Sequence, residues 1–117
     1  MQRGRILIMG QTKESTYEIR NLLDNKKYEL EIALSKEVGK TILTQRQMNL
    51  LILHTEILNE ESKEFFEFLS KEGVELPVFI LGEDASRLAE TVEAASNVSC
   101  FDKPYPINEM LESIGEL

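Results

Sequence analysis

The one histidine of the chain, His54, is followed two residues later by Glu56. An imidazole can take a phosphoryl group on nitrogen or, beside a carboxylate, join a metal shell, but one histidine and one carboxylate do not complete such a shell. The run Gly10-Gln11-Thr12-Lys13-Glu14-Ser15-Thr16 brings hydroxyls and backbone N–H groups to a helix start, an arrangement that can hold an anion. Thr12 serves equally well there as an ordinary helix N-cap. Gly39-Lys40-Thr41 has the ending of a phosphate-binding P-loop, but the glycine required five residues before the Gly-Lys pair is Leu34, and the segment has helical spacing. It is read as chance. The single cysteine, Cys100, can form neither an internal disulfide nor a cysteine cage, and no histidine or metal beside it in sequence activates it. No nucleophile falls together with a base, so the expectation is a protein that is not an enzyme and needs no metal or cofactor.

These groups must be positioned by a scaffold, and three short apolar runs define it: Ile6-Leu7-Ile8-Met9, Leu50-Leu51-Ile52-Leu53 and Val78-Phe79-Ile80-Leu81. Runs of this kind suit strands buried on both faces. Residues 28–34, which alternate, and 98–101, which are short and mixed, suit edge strands. Helical spacing appears between them: Ile19, Leu22 and Leu23; Val38 and Ile42; Phe65, Phe66 and Leu69 with Phe68 at the edge; Leu88 and Val92; and Ile107, Met110, Leu111 and Ile114. The expected fold is α/β, a (βα)5 doubly wound flavodoxin-like domain whose five-stranded parallel sheet has the order 2-1-3-4-5.

At 117 residues the chain is read as a single domain, 1–117. Its formal charge of −8, from 13 basic and 21 acidic residues, argues against nucleic acid as the partner. No apolar run approaches the roughly 20 residues that cross a bilayer, so no membrane partner is expected and the localisation is read as cytoplasmic. In an open α/β sheet the functional crevice lies at the carboxyl ends of the strands, which here carry Gly10, Gln11, His54, Gly82 and Lys103.

At these positions the chain resembles the response-regulator receiver (CheY-like) family. Residues 6–11 look like the family's first strand, which ordinarily ends in an acidic pair. Residues 49–54 look like the third, which ordinarily ends in the phosphorylated aspartate; 76–82 look like the fourth, with Thr or Ser in place of Gly82. Phe101-Asp102-Lys103-Pro104-Tyr105 resembles the Lys-Pro-aromatic signature, in which the resemblance implies a cis bond before Pro104. The similarity spans the chain, yet Gly10, Gln11, His54 and Gly82 lack the groups of a phosphoacceptor site and only Lys103 is retained. An Mg²⁺-dependent aspartyl phosphate needs carboxylate oxygens around the cation. The five positions are therefore read as a degenerate phosphorylation site in a pseudo-receiver, with His54 a neutral hydrogen-bonding plug.

The implied role is a non-phosphorylatable protein-protein interaction module in bacterial signal transduction or motility regulation, its partner a signalling protein or domain. The face formed in receivers by the fourth helix, fifth strand and fifth helix would include Arg87, Glu90, Cys100 and Tyr105, and would also serve a homodimer. The alternative is a small-ligand or anion sensor using Gly10, Gln11, Thr12, His54 and Lys103.

Overall fold

Each apolar run becomes a strand because helices cover it on both sides. The structure, a computed structural model, describes residues 4–23, 27–58, 62–72, 76–91, 98–103 and 105–115. In chain order it runs β1 (Gly4–Met9), α1 (Lys13–Leu22), β2 (Tyr28–Ala33), α2 (Lys36–Gln45), β3 (Leu50–His54), a 3₁₀ turn (Thr55–Ile57), α3 (Ser62–Lys71), β4 (Val78–Leu81), α4 (Ala85–Thr91), β5 (Val98–Phe101) and α5 (Ile107–Gly115). The five strands are parallel in the order β2-β1-β3-β4-β5, with β2 and β5 at the edges as the sequence predicts.

Alternation along the strands divides the core. Leu7, Met9, Leu51, Leu53, Val78 and Ile80 face Leu43 of α2 and Phe65, Phe66 and Leu69 of α3. Ile6, Ile8, Leu50, Ile52, Phe79 and Leu81 face Ile19 of α1 and Met110 and Ile114 of α5. Burying side chains of this size stabilises by about 1.5–3 kcal/mol each, which explains how the sheet holds without a covalent staple.

The register Ile8↔Ile52 and His54↔Leu81 brings the ends of β1, β3 and β4 to one edge. The helices begin where side chains can cap them: Thr12 Oγ1 accepts from the Ser15 N–H at 3.2 Å, and Ser35 Oγ accepts from the Val38 N–H at 3.2 Å.

Two stripes differ from their sequence reading. Val38 is 48% exposed, and α2 instead turns Gly39 and Leu43 inward, with Ile42 partly buried. A Cβ on Gly39 would run into the Met9 side chain, lying 2.6 Å from its sulfur. That glycine is a contact point between helix and sheet, which accounts for the P-loop-like tripeptide. Leu111 is likewise exposed on α5, where Met110 and Ile114 carry the packing. Val92, Pro104 with its expected cis bond, and the side chains of Leu88 and Ile107 lie outside the described residues.

Candidate functional site at the carboxyl ends of the strands

The loop leaving β1 and the first turn of α1 bring several donors together. Unpaired N–H groups at a helix start carry partial positive charge and attract anions. Here the anion is internal. Glu56, from the 3₁₀ turn after β3, places Oε1 2.6 Å from the Gln11 N and 3.0 Å from the Thr12 N. Ser15 Oγ donates to the same oxygen in a very short hydrogen bond. Three donors converging on one oxygen define the centre of the site.

Burial works against the Glu56 charge, but the Ser15 hydroxyl, the Gln11 and Thr12 N–H groups and the nearby His54 outweigh it. The carboxyl is held below its ordinary range.

His54 is folded into the same arrangement. Its Nδ1 accepts the Glu56 backbone N–H at 3.1 Å, capping the 3₁₀ turn, which places the proton of the neutral ring on Nε2. The second carboxylate oxygen, Oε2, lies 3.8 Å from Nδ1. The imidazole side chain is 13% exposed. Burial is the largest influence on it and lowers its proton affinity; Glu56 and Glu18 oppose this and Lys103 adds to it, leaving the ring below its usual value.

The remaining positions are closed by packing. A Cβ on Gly10 would stand 2.8 Å from Thr16 Cγ2 and 3.2 Å from both Glu56 Oε1 and Ser15 Oγ. An acidic side chain there has no room while Glu56 is in place. Gly82 has φ +140°, and a Cβ on it would strike the buried Thr55 side chain. Lys103 turns toward α1, with Nζ 3.3 Å from Glu18 Oε1 and 5.8 Å from the Tyr105 ring. Among the described residues no group of three or more His, Cys, Asp or Glu side chains is placed to hold a metal ion.

Gly10, Gln11, His54 and Gly82 thus gather around Glu56 and Thr55, with Lys103 drawn aside to Glu18. Neither Thr55 nor Glu18 stood out in the sequence, because each acts across the tertiary fold. Glu56 stood beside His54, and the Gly10–Thr16 run read as an anion loop, but linking the two requires the 45-residue separation between Gln11 and Glu56 to be closed by β1–β3 pairing.

Of the four residues expected on a partner face, Cys100 lies beside Ser86 and Glu90 of α4, and Tyr105 packs on the other core. Arg87 and Glu90 are exposed on α4, Arg87 with Nη2 3.0 Å from Asp84 Oδ2. Cys100 is half-buried against the core on the α2–α3 side. Burial, then Asp102 and Glu90, push its thiol up against a hydrogen bond with Ser86. Tyr105 packs against the opposite core, beneath α1 and α5. Its hydroxyl is shut off from solvent without a hydrogen-bond partner among the described residues. Burial, then Glu18, Glu56 and Glu83, push the phenol up to about 12.

No family model and no curated protein matches the sequence. Solved structures do match the fold. The signal receiver domain of an HD domain-containing protein from Pseudomonas fluorescens superposes with a TM-score of 0.79 at 16% identity, covering 98% of this chain and 94% of that one. A CheY-like receiver domain protein from Methanospirillum hungatei gives 0.75 at 22% identity, over 98% and 93%. A response regulator receiver protein from Pseudomonas putida gives 0.75 at 12%, over 100% and 99%. The fold is therefore that of response-regulator receiver domains. Among the described residues no helix is long and apolar enough to cross a membrane.

Proposed function

We propose that the chain is a receiver-like interaction module of signal transduction whose surface is not switched by phosphorylation. The observation that carries this reading is the Glu56 carboxylate seated on the Gln11 and Thr12 N–H groups and Ser15 Oγ. Charge and hydrogen bonds that a phosphorylation site would leave for a cation and a phosphoryl group are here satisfied from within the chain. His54 offers no carboxylate nucleophile, and Gly82 has no hydroxyl to hold a phosphoryl oxygen.

The partner is a cytoplasmic signalling protein or domain, and the proposed docking side is α4 with β5. Arg87 and Glu90 stand there in water, while the inward Tyr105 supports the fold rather than the contact. A homodimer through α4, β5 and α5 is the competing use of that side, and sedimentation of the purified chain separates the two. The test of the interaction reading is affinity for a partner captured from the source cells, measured with and without acetyl phosphate and Mg²⁺. Equal affinities support a surface not switched by phosphorylation, with Arg87→Ala weakening both; affinity that depends on acetyl phosphate contradicts it.

The anion-sensor reading has less support, since Glu56 already occupies the donors and Glu18 holds Lys103. A ligand at 100 times its dissociation constant would add about 2.7 kcal/mol of stability, so a thermal-shift screen with phosphate and nucleotides distinguishes that reading.

A further inference from the structure

We propose that His54 and Glu56 form a proton-operated latch, closed while the imidazole is neutral and loosened when it gains a proton. The proposal rests on the reading of a surface not switched by phosphorylation and adds to it a means of regulation. Its basis is the geometry of Nδ1. In the neutral ring this atom accepts the Glu56 N–H at 3.1 Å, and Glu56 Oε1 is then free to serve Gln11, Thr12 and Ser15.

Protonation turns Nδ1 from acceptor into donor. It can no longer cap the Glu56 N–H, and it stands 3.8 Å from Oε2, the carboxylate oxygen not used by the loop. A charge-assisted N–H···O bond wants about 2.7–2.9 Å. Closing that gap draws the carboxylate toward β3 by close to an ångström and lengthens the three bonds to Oε1. Both ends of the change are local: one proton is gained at Nδ1, one backbone bond is lost at Glu56 N, and one ion pair forms.

The charges facing the ring come from three elements. Glu56 of the 3₁₀ turn and Glu18 of α1 favour the proton, while Lys103 after β5 opposes it. Glu18 also binds Lys103 at 3.3 Å, which limits how far that cation can weigh on His54. Loosening the latch frees the N–H groups of Gln11 and Thr12 at the carboxyl edge of the sheet and changes that face without any phosphoryl group.

The experiment is a pH titration of the intact chain by NMR, following the His54 ring protons and the Gln11 and Thr12 amide protons together. The expected result is that both amides lose their low-field shift with the midpoint of His54. In His54→Asn, whose side-chain oxygen can still accept the Glu56 N–H but does not titrate, both amides should stay constant until the carboxylate itself titrates. Amides that stay flat while His54 titrates in the native chain overturn the latch. So do amides that move with the native midpoint in the asparagine variant. Neither result bears on acetyl phosphate, to which the phosphorylation-independent reading answers separately.

Discussion

Thr55 and Gly82 exclude one another's side chains: a Cβ built on Gly82 would lie 3.0 Å from Thr55 Cβ, and nearer still to its Oγ1. The position from which a receiver's hydroxyl reports phosphorylation is here filled by a side chain of the 3₁₀ turn that follows β3. Gly82 also has φ +140°, which adds backbone strain to the clash for any other residue. Gly82→Ala is therefore expected to destabilise the chain by about 3 kcal/mol, read by urea unfolding. Gly82→Thr should cost at least as much, and pairing either with Thr55→Gly should recover part of the loss. A Gly82→Thr variant as stable as the parent would show that Thr55 does not hold this volume.

Glu56 is expected to contribute to folding through its three donors. Glu56→Ala should destabilise by about 1 kcal/mol, since the exposed Gln11 and Thr12 N–H groups exchange a charged acceptor for water. Glu56→Gln should lose less, because its oxygen can still accept. Hydrogen exchange at Gln11 and Thr12 should rise in the alanine variant, and unchanged exchange there would separate the carboxylate from the loop.

Stability should fall toward acid in two stages. His54 and Glu56 both hold their protons less readily in the folded chain than their ordinary values of 6.5 and 4.5 imply. A group with a lowered folded value binds its proton more readily in the unfolded chain, so its contribution is complete above the unfolded value and is lost as pH falls through the folded one. The His54 share should begin to disappear below pH 6.5 and the Glu56 share below 4.5. Denaturant midpoints against pH should show the first stage missing in His54→Asn.

Tyr105 predicts the opposite limb. Its phenol rises from 10.0 to about 12, so the stability it contributes is present below pH 10 and drains as pH rises through 12. Tyr105→Phe should abolish that alkaline loss. It should also stabilise the chain at neutral pH by about 1 kcal/mol, because the buried hydroxyl has no partner among the described residues. A tyrosine hydroxyl used for partner contact would instead leave stability unchanged and weaken binding.

The fold was legible in the sequence because three short apolar runs such as Leu50-Leu51-Ile52-Leu53 suit strands buried on both faces and alternate with segments of helical spacing. Thr12 was legible as a cap because capping is local. The site was only half legible. Gly10, His54 and Gly82 declared the missing phosphoacceptor groups, but what fills their space comes from elsewhere: Thr55 over Gly82, Glu56 and Thr16 against Gly10, Glu18 on Lys103. Val38 misled because helical spacing gives a stripe but not its rotation, which the contact of Gly39 with Met9 decides. The direction of the Tyr105 ring was not legible, because an aromatic after β5 reads alike whether it turns toward the core or toward solvent; here it packs against the core that holds Ile19 and Met110.

The cradle at the β1 and β3 ends is already occupied by Glu56. The most direct measurement is intact-protein mass after incubation with acetyl phosphate and Mg²⁺, for the native chain and for His54→Asp. No added phosphoryl group is expected on either, since the variant gains a nucleophile while the carboxylate beside Gly10 and Gln11, that of Glu56, is already held by the Gln11 and Thr12 N–H groups and Ser15 Oγ. A phosphorylated native chain, with the group mapped to His54, would contradict it and make the imidazole a phosphocarrier.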